Sequence, residues 1–324
     1  MTVTDGTTKE TPRARAGRII FVAAVIAVLL CLAGLALRYR ERKQAARPPA
    51  QPGVGSIRQI TNDGLPKKNL VGDGSRLYFN EPSHGGQVVV QIDGTASQQA
   101  AVMPPSLANA NILDVSRESE LLISMPQPAN AVPIWVMAAS GASPRRLGDL
   151  SAQAATFEPN GKIVFSMGNA LYRAEHDGSN PVKFASALGP VSFLRISPDG
   201  SRIRFTIGDP AVRTTLWEIH SDGAEMKMLL PLPRGPGQPC CGRWTPDGKY
   251  FVYENQGDLW IMPANGPVTA KLSPPVQLTS GPRAYHDPVI NRDGRTLYAI
   301  GEMRTAAGAD RGVQEIFTLQ LRLP

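Results

Sequence analysis

Short apolar runs alternate with turn signals along most of this chain. Runs such as Arg202–Ile207 and Lys249–Glu254 alternate or stay apolar in the way of strands, not at helical spacing. Each unit contains a Ser-Pro-Asp-Gly-like turn and, further on, a second turn of the Asp-Gly or Asn-Gly kind. The glycine position of the first turn recurs at Gly74, Ser119, Gly161, Gly200, Gly248 and Gly294.

The spacing of these turns, 39 to 48 residues, decides the architecture. Several strands per unit at this period are typical of β-propeller blades. Helical repeats lack the strand pattern, and leucine-rich repeats are shorter and lack paired glycine turns. We therefore predict an all-β fold with six blades.

The last repeat predicts how the ring closes. Residues 287–321 supply three strands, and the chain then ends without the fourth. A copy of the missing strand stands at residues 57–61, "IRQIT". We expect this segment to complete the sixth blade, because an unclosed propeller would expose unpaired strand edges. The alternative is an open arc cut from a larger propeller.

An apolar run precedes the repeats. Residues 19–37 contain no charge and, as a helix, span about 28 Å, close to a bilayer core. We predict a retained transmembrane helix, with residues 1–18 as a short cytoplasmic N-terminus. The alternative is a cleaved signal peptide. Residues 38–56 are basic and then rich in Pro and Gly, which indicates a tether to the propeller at 57–324.

Charge excludes one class of partner. The net charge is +7, but residues 1–56 carry nine Lys or Arg and three Asp or Glu, a balance of +6. The propeller is thus almost neutral, so we expect no nucleic-acid partner. The basic residues on the two sides of the apolar run are nearly balanced and do not orient it.

The cysteines allow two interpretations. Cys31 lies in the apolar run, and Cys240 and Cys241 are adjacent. We expect the pair to be reduced and buried on an inner strand, since free cysteine is commonly buried. The alternative is a disulfide in a strained ring, used for redox sensing or as a rigid bump on a binding face.

Known catalytic spacings are missing. The chain has no Gly-x-Ser-x-Gly, no phosphate loop and no His-Glu-x-x-His. We therefore predict no catalytic residue, no cofactor, no metal and no enzymatic activity, and the ligand-binding residues stay unknown. The four histidines fall in different repeats and are expected to be separate loop residues: His84, His176, His220 and His286.

Two further residue sets recur in register. The turn residues Asp199, Asp247 and Asp293 are expected to cap turns, with calcium binding as the alternative. Aromatic or equivalent residues in the third strand of successive repeats are expected to pack between blades, with a stacking platform as the alternative. They are Trp135, Tyr172, Trp217, Trp260 and Phe317.

The repeats resemble a known family. "ISPDGSRIRFTI" at 196–207 and "WTPDGKYFVYENQGDLWIM" at 244–262 are similar to the WD-like repeat of TolB-like propellers. Residues 58–302 resemble bacterial, often acidobacterial, membrane proteins in which a winged helix and a membrane helix precede such a propeller. This resemblance implies a propeller in the periplasm. The chain departs from those transmembrane regulators because only 18 residues precede the apolar run, too few for a DNA-binding domain.

These observations predict a single-pass protein of the bacterial inner membrane with a TolB-like propeller in the periplasm. We expect a non-catalytic docking or sensing module whose partner is an envelope protein or peptide. One alternative is a propeller-based lyase or hydrolase, which would gather acids, His or Arg from several blades on one face. The other is a truncated regulator without its DNA-binding domain. Fold alone does not decide among them.

Overall fold

A computed structural model describes most of the 324 residues. The described residues are 26, 29–40, 51–94, 101–102, 108–125, 132–141, 143–209, 213–230, 237–264, 274–304 and 313–324.

The chain divides into two compact units, residues 1–50 and 51–324. In the first unit, residues 29–40 form an α-helix. Most of the helix predicted at 19–37 lies outside the described residues. Within the part that is described, no helix has the length and apolarity needed to cross a membrane.

The second unit consists of six four-stranded antiparallel sheets, one for each repeat. The first three sheets contain β2 Lys68–Gly72, β3 Arg76–Ser83, β4 Gly86–Asp93 and β5 Ala101–Val102; β6 Asn111–Val115, β7 Glu120–Ser124, β8 Pro133–Ala138 and β9 Arg145–Ser151; and β10 Ala154–Phe157, β11 Ile163–Met167, β12 Ala170–Ala174 and β13 Val182–Ser186.

The remaining three sheets complete the propeller. They contain β14 Val191–Ile196, β15 Arg202–Asp209, β16 Arg213–His220 and β17 Lys227–Met228; β18 Cys240–Trp244, β19 Tyr250–Asn255, β20 Asp258–Pro263 and β21 Val276–Gln277; and β22 Arg283–Ile290, β23 Thr296–Met303, β24 Glu315–Arg322 and β1 Gly53–Gln59. We number these six sheets as blades 1 to 6. The prediction of a six-bladed all-β propeller is confirmed.

The first strand of each blade lies at the centre. The strands β2, β6, β10, β14, β18 and β22 contact one another in sequence, and β22 contacts β2. They therefore form a closed ring around a central channel. The second strands pack behind them, and apolar side chains of neighbouring blades share six core clusters.

The recurring aromatic residues belong to these cores. Trp135, Tyr172, Trp217 and Trp260 pack against the clusters, and Phe317 is buried in one. The capping role of the turn aspartates is also confirmed. The carboxylates of Asp199, Asp247 and Asp293 each accept a hydrogen bond from the backbone N–H two residues further on.

The sixth blade joins both ends of the propeller unit. Strand β1 pairs antiparallel with β24, and the sheet order is β1-β24-β23-β22. The strand begins at Gly53, four residues before the expected start at residue 57. A register shift between Val54 and Ile57 allows the pairing to continue, and Val54 packs against the blade 6 core. Residues 53–56, assigned to the tether from composition, thus belong to the sheet.

A buried ammonium group reinforces this junction. Lys67 has a fully buried side chain, and its Nζ lies 2.6 Å from Asp63, 3.2 Å from Glu81 and 3.3 Å from Glu315. Burial would lower the pKa of Lys67, but the three carboxylates outweigh it and raise that pKa. Glu315 lies on β24 and Glu81 on β3. The charge cluster therefore links blade 6 to blade 1.

Removal of β1 should destabilise the propeller. Deletion of residues 53–59 leaves β24 with an unpaired edge and removes several hydrogen bonds worth about 1 kcal/mol each, so we expect the Tm to fall by about 5–15 °C. The control is a deletion of equal length at residues 43–49, which should leave the Tm nearly unchanged. Thermal unfolding of both variants is the measurement, and equal losses would contradict closure through β1.

Candidate functional site

Bulges in the inner strands shape the channel wall. The pairing of β2, β14, β18 and β22 with the second strands of their blades shifts register once in each case. Inside each shift lies a non-glycine residue with left-handed backbone, at φ between 48° and 57°. A bulge interrupts the alternation of side chains and turns neighbouring residues toward one side. The four left-handed residues are Asn69, Phe193, Cys241 and Asp287.

Beyond the bulges, polar side chains from four blades meet at the C-terminal ends of the inner strands. Asp114 comes from β6, Thr156 from β10, Arg195 from β14 and Arg243 from β18. All four line a cavity of about 580 Å³, together with residues of the turns that follow these strands. We call this the channel cavity. Its size suits a small organic ligand or the end of a peptide.

Asp114 is the central acceptor of the channel cavity. It accepts hydrogen bonds from Thr156 Oγ1 at 2.5 Å and from the backbone N–H of Phe157 at 3.2 Å. Its other oxygen accepts from Arg243 Nη1, also at 3.2 Å. Blades 2 and 5 lie on opposite sides of a six-bladed ring, so this ion pair crosses the channel. The Asp114 charge is thereby committed to Arg243.

Arg195 has no such partner. Its Nη1 donates to the carbonyl of Leu194 at 2.6 Å, and its buried Nε donates to nothing. Among the described residues it forms no ion pair. Burial, together with the charge of Arg243, lowers the pKa of Arg195 from 12.5 to about 9, although the more weakly acting charges of Asp114 and Asp287 oppose this shift. The guanidinium is still charged at neutral pH, and an anion in the channel cavity would stabilise it.

A histidine and a glutamate lie at the edge of the same cavity. His176 Nε2 is 2.6 Å from Glu120 Oε2, and the imidazole stacks on Phe157. If the Nε2–H donates to the carboxylate, Nδ1 is left as a base. Sequence reasoning placed His176 among separate loop histidines. The structure instead brings it to a cavity with residues of blades 2, 4 and 5.

The N-terminal ends of the inner strands carry a second polar group. Cys240 and Cys241 form a disulfide here, so the expectation of two reduced cysteines is wrong. The inner-strand position is as predicted, and both residues are partly buried. The bulge is the physical reason for the disulfide, because it brings two consecutive side chains to the same side of the strand.

Beside this disulfide, His286 lies between two carboxylates. Nδ1 is 3.0 Å from Glu254 Oε1, and Nε2 is 3.1 Å from Glu302 Oε1. Burial would lower the pKa of His286, but the hydrogen bonds and charges of Glu254 and Glu302 raise it from 6.5 to about 9. The imidazole is therefore cationic at neutral pH and joins blades 5 and 6.

Comparisons with known proteins support the fold. No family model matches the chain, and no curated protein matches it. The structure is similar to TolB from Acinetobacter baumannii, with 16% identity, a TM-score of 0.52, and coverage of 80% of this chain and 65% of that one. TolB likeness is thus confirmed at the level of the fold, whereas nothing in these comparisons links the chain to transmembrane regulators.

Enzymes share the same fold. A gluconolactonase from Xanthomonas campestris has 13% identity and a TM-score of 0.57, and the match covers 85% of this chain and 96% of that one. A luciferin-regenerating enzyme has 10% identity and a TM-score of 0.58, with 83% and 95% covered.

The prediction of no enzymatic activity is therefore contradicted as a conclusion from the sequence, because enzymes are among the proteins that share this fold. It rested on missing catalytic spacings, but a propeller assembles its sites from different blades, where no fixed spacing is needed. The channel cavity also shows the gathering of acids, His and Arg that the enzymatic alternative requires. Likeness at such low identity shows the fold alone, so activity has to be argued from the cavity.

The protonated His286 should make stability depend on pH. A pKa raised in the folded state contributes stability below pH 6.5 that is lost as the pH rises through about 9. From the size of the shift we expect the free energy of unfolding to fall by about 2–3 kcal/mol across this window. The variant His286→Asn should lack this decline. Urea unfolding at about pH 6 and about pH 9.5 measures the free energy of unfolding of both proteins. An equal decline in the wild type and in His286→Asn would contradict the raised pKa of His286 as its cause.

Proposed function

We propose that the propeller binds a small ligand carrying a carboxylate, with the carboxylate in the channel cavity. The observation that carries this proposal is Arg195, a charged guanidinium whose buried Nε has no acceptor. Carboxylates match the guanidinium geometry and form strong charge-assisted hydrogen bonds. Arg243 lies in the same cavity, where its charge is paired with that of Asp114 at 3.2 Å.

Charge and position favour an anion over a neutral ligand. Within the channel cavity Arg243 offsets the charge of the Asp114 carboxylate, which also accepts from Thr156 and Phe157, so it repels an incoming anion less than an unpaired carboxylate would. A carboxylate next to Arg195 would also reduce the repulsion between the two guanidinium groups. The ligand could be a small acid or the C-terminal end of an envelope peptide.

A second candidate function is turnover of the bound ligand. The His176–Glu120 pair supports it, because an imidazole oriented by a carboxylate can act as a general base. Hydrolysis of a lactone or ester produces a carboxylate next to the base, and the arginines could stabilise the developing oxyanion. The gluconolactonase with the same fold makes sugar lactones reasonable first substrates.

Membrane attachment and a periplasmic location stay predictions. They rest on the apolar run at residues 19–37 and on the family resemblance, and both are compatible with a receptor or enzyme for small acids.

Removal of the Arg195 charge should weaken recognition of the anion. We expect gluconate or galacturonate to raise the Tm of the wild-type protein, and Arg195→Gln to weaken their binding by about 10- to 100-fold, since a charged hydrogen bond contributes about 1.5–3 kcal/mol. Arg146→Gln is the matched control, because Arg146 is half-exposed on β9 and far along the blade from the channel. Calorimetric titration measures the affinities. Equal affinity of wild type and Arg195→Gln would refute the proposed site.

Replacement of His176 tests the second candidate. If the chain hydrolyses sugar lactones, His176→Asn should lower kcat by about 10²- to 10⁴-fold while the affinity for gluconate is kept. Arg146→Gln again serves as the control. Titration of released acid, corrected for spontaneous hydrolysis, is the assay. Wild-type rates equal to the uncatalysed rate would leave ligand binding as the function of the cavity.

A further inference from the structure

The disulfide at the N-terminal end of β18 faces a carboxylate oxygen that it cannot satisfy. Glu254 on β19 is the direct cross-strand partner of Cys240. Its Oε2 lies 3.8 Å from Cys240 Sγ, and among the described residues no other group donates to this oxygen. A disulfide sulfur carries no proton, so the oxidised pair offers no donor either. A partly buried carboxylate oxygen without a donor is unfavourable and calls for a partner.

Glu254 is held in this orientation from its other side. Oε1 accepts a hydrogen bond from His286 Nδ1 at 3.0 Å, and His286 is fixed in turn by Glu302 on β23. One carboxylate oxygen is thus anchored while the other points at the sulfurs. Side chains that bind metal are commonly oriented by such outer hydrogen bonds.

The bulge keeps the two sulfurs together whether or not they are bonded. Cys241 has a φ of 56°, and the left-handed residues Asn69, Phe193 and Asp287 occupy the same place in three other inner strands without a disulfide. The backbone conformation therefore belongs to the bulge and not to the disulfide. After reduction, the thiols of Cys240 and Cys241 would stay on the same side of β18.

We propose that reduction turns Cys240, Cys241 and Glu254 into a site for a thiophilic divalent cation of the zinc class. The three ligand atoms already lie within 4.8 Å of one another. With metal–sulfur distances of about 2.3 Å and metal–oxygen distances of about 2.0 Å, the edges of a tetrahedral site measure about 3.5 Å, so small side-chain shifts suffice. Because the cysteines are not fully enclosed, water can complete the fourth position. In the oxidised form the two sulfurs are bonded to each other and cannot bind as thiolates. Metal binding at this site therefore depends on the redox state of the cysteines.

The chemistry balances with a phosphine or a dithiol as the reductant. Two electrons and two protons break the S–S bond and give two thiols. A phosphine becomes a phosphine oxide and takes its oxygen from water, whereas a dithiol becomes a cyclic disulfide. The cation then displaces the two thiol protons and binds two thiolates together with the ionised carboxylate.

The test compares metal binding by the full chain before and after reduction. All samples carry Cys31→Ser, because Cys31 is an exposed free thiol. The protein is reduced with a phosphine, which competes for zinc less than a dithiol does, and is then titrated with Zn²⁺ in a competition assay and with Co²⁺ in an absorbance assay. We expect about one metal per chain and a thiolate-to-cobalt charge-transfer band after reduction, and neither before it.

Four variants make the proposal refutable. Glu254→Gln should weaken Zn²⁺ binding by about tenfold or more, and His286→Asn, which removes the orienting hydrogen bond, should weaken it by a smaller factor than Glu254→Gln does. Glu175→Gln is the matched control, since Glu175 forms a half-exposed ion pair with Lys162 elsewhere. Thermal unfolding checks that each variant is folded. The proposal fails if the reduced chain binds no more metal than Cys240→Ser/Cys241→Ser, if the oxidised chain binds equally, or if Glu254→Gln binds as the wild type does.

Discussion

Closure of the ring through β1 and β24 is the constraint on which the propeller depends. Each blade buries its two faces against its neighbours, so an open ring would expose the apolar surface shared by blades 1 and 6. That surface includes Leu70 and Phe79 on one side and Ile300 and Ile316 on the other. Pairing of β1 with β24 holds blade 6 at this junction, and the outer edge of β24 is therefore hydrogen-bonded and not exposed.

The buried charge of Lys67 is stabilised by carboxylates that only a closed ring brings together. A fully buried ammonium group is costly unless carboxylates surround it, and its partners come from both blades that meet at the junction. Glu315 also accepts from Thr61 and from the backbone N–H of Gly64, in the segment that links β1 to β2. Closure thus depends on strand pairing, apolar contact and a charge network that each connect blade 6 to the segment entering blade 1.

Features that recur in every blade could be predicted from the sequence, whereas side-chain pairs that occur once could not. The local sequence pattern indicates the number of blades, the capping aspartates and the packed aromatic residues. It does so because every blade has the same turns and buries its faces against its neighbours. The Asp114–Arg243 pair joins residues 129 positions apart, and His176 meets Glu120 from another blade. No spacing in the sequence indicates such pairs.

The bulges explain the error about the cysteines. A left-handed residue in a strand is usually glycine, and a glycine there would have signalled a bulge. Here the position is occupied by Phe193 in blade 4 and Cys241 in blade 5, which gave no such signal. Regular alternation would have sent Cys240 and Cys241 to opposite faces of β18, where no disulfide could form.

One repeated position nonetheless carries most of the candidate chemistry. It lies two residues before the residue that opens each first turn, and it holds Val71, Asp114, Thr156, Arg195, Arg243 and Val289 in blades 1 to 6. The inner strands are packed alike, so the scaffold does not require a charge at this position. Blades 1 and 6 place valine there: Val289 lies in the core that these two blades share, and Val71 lies in the core between blades 1 and 2. At this position polar residues are confined to blades 2 to 5. A ligand in the channel cavity would meet Arg195 from blade 4 and Arg243 from blade 5, so its anionic group would be oriented by the difference between blades and not by the fold they share.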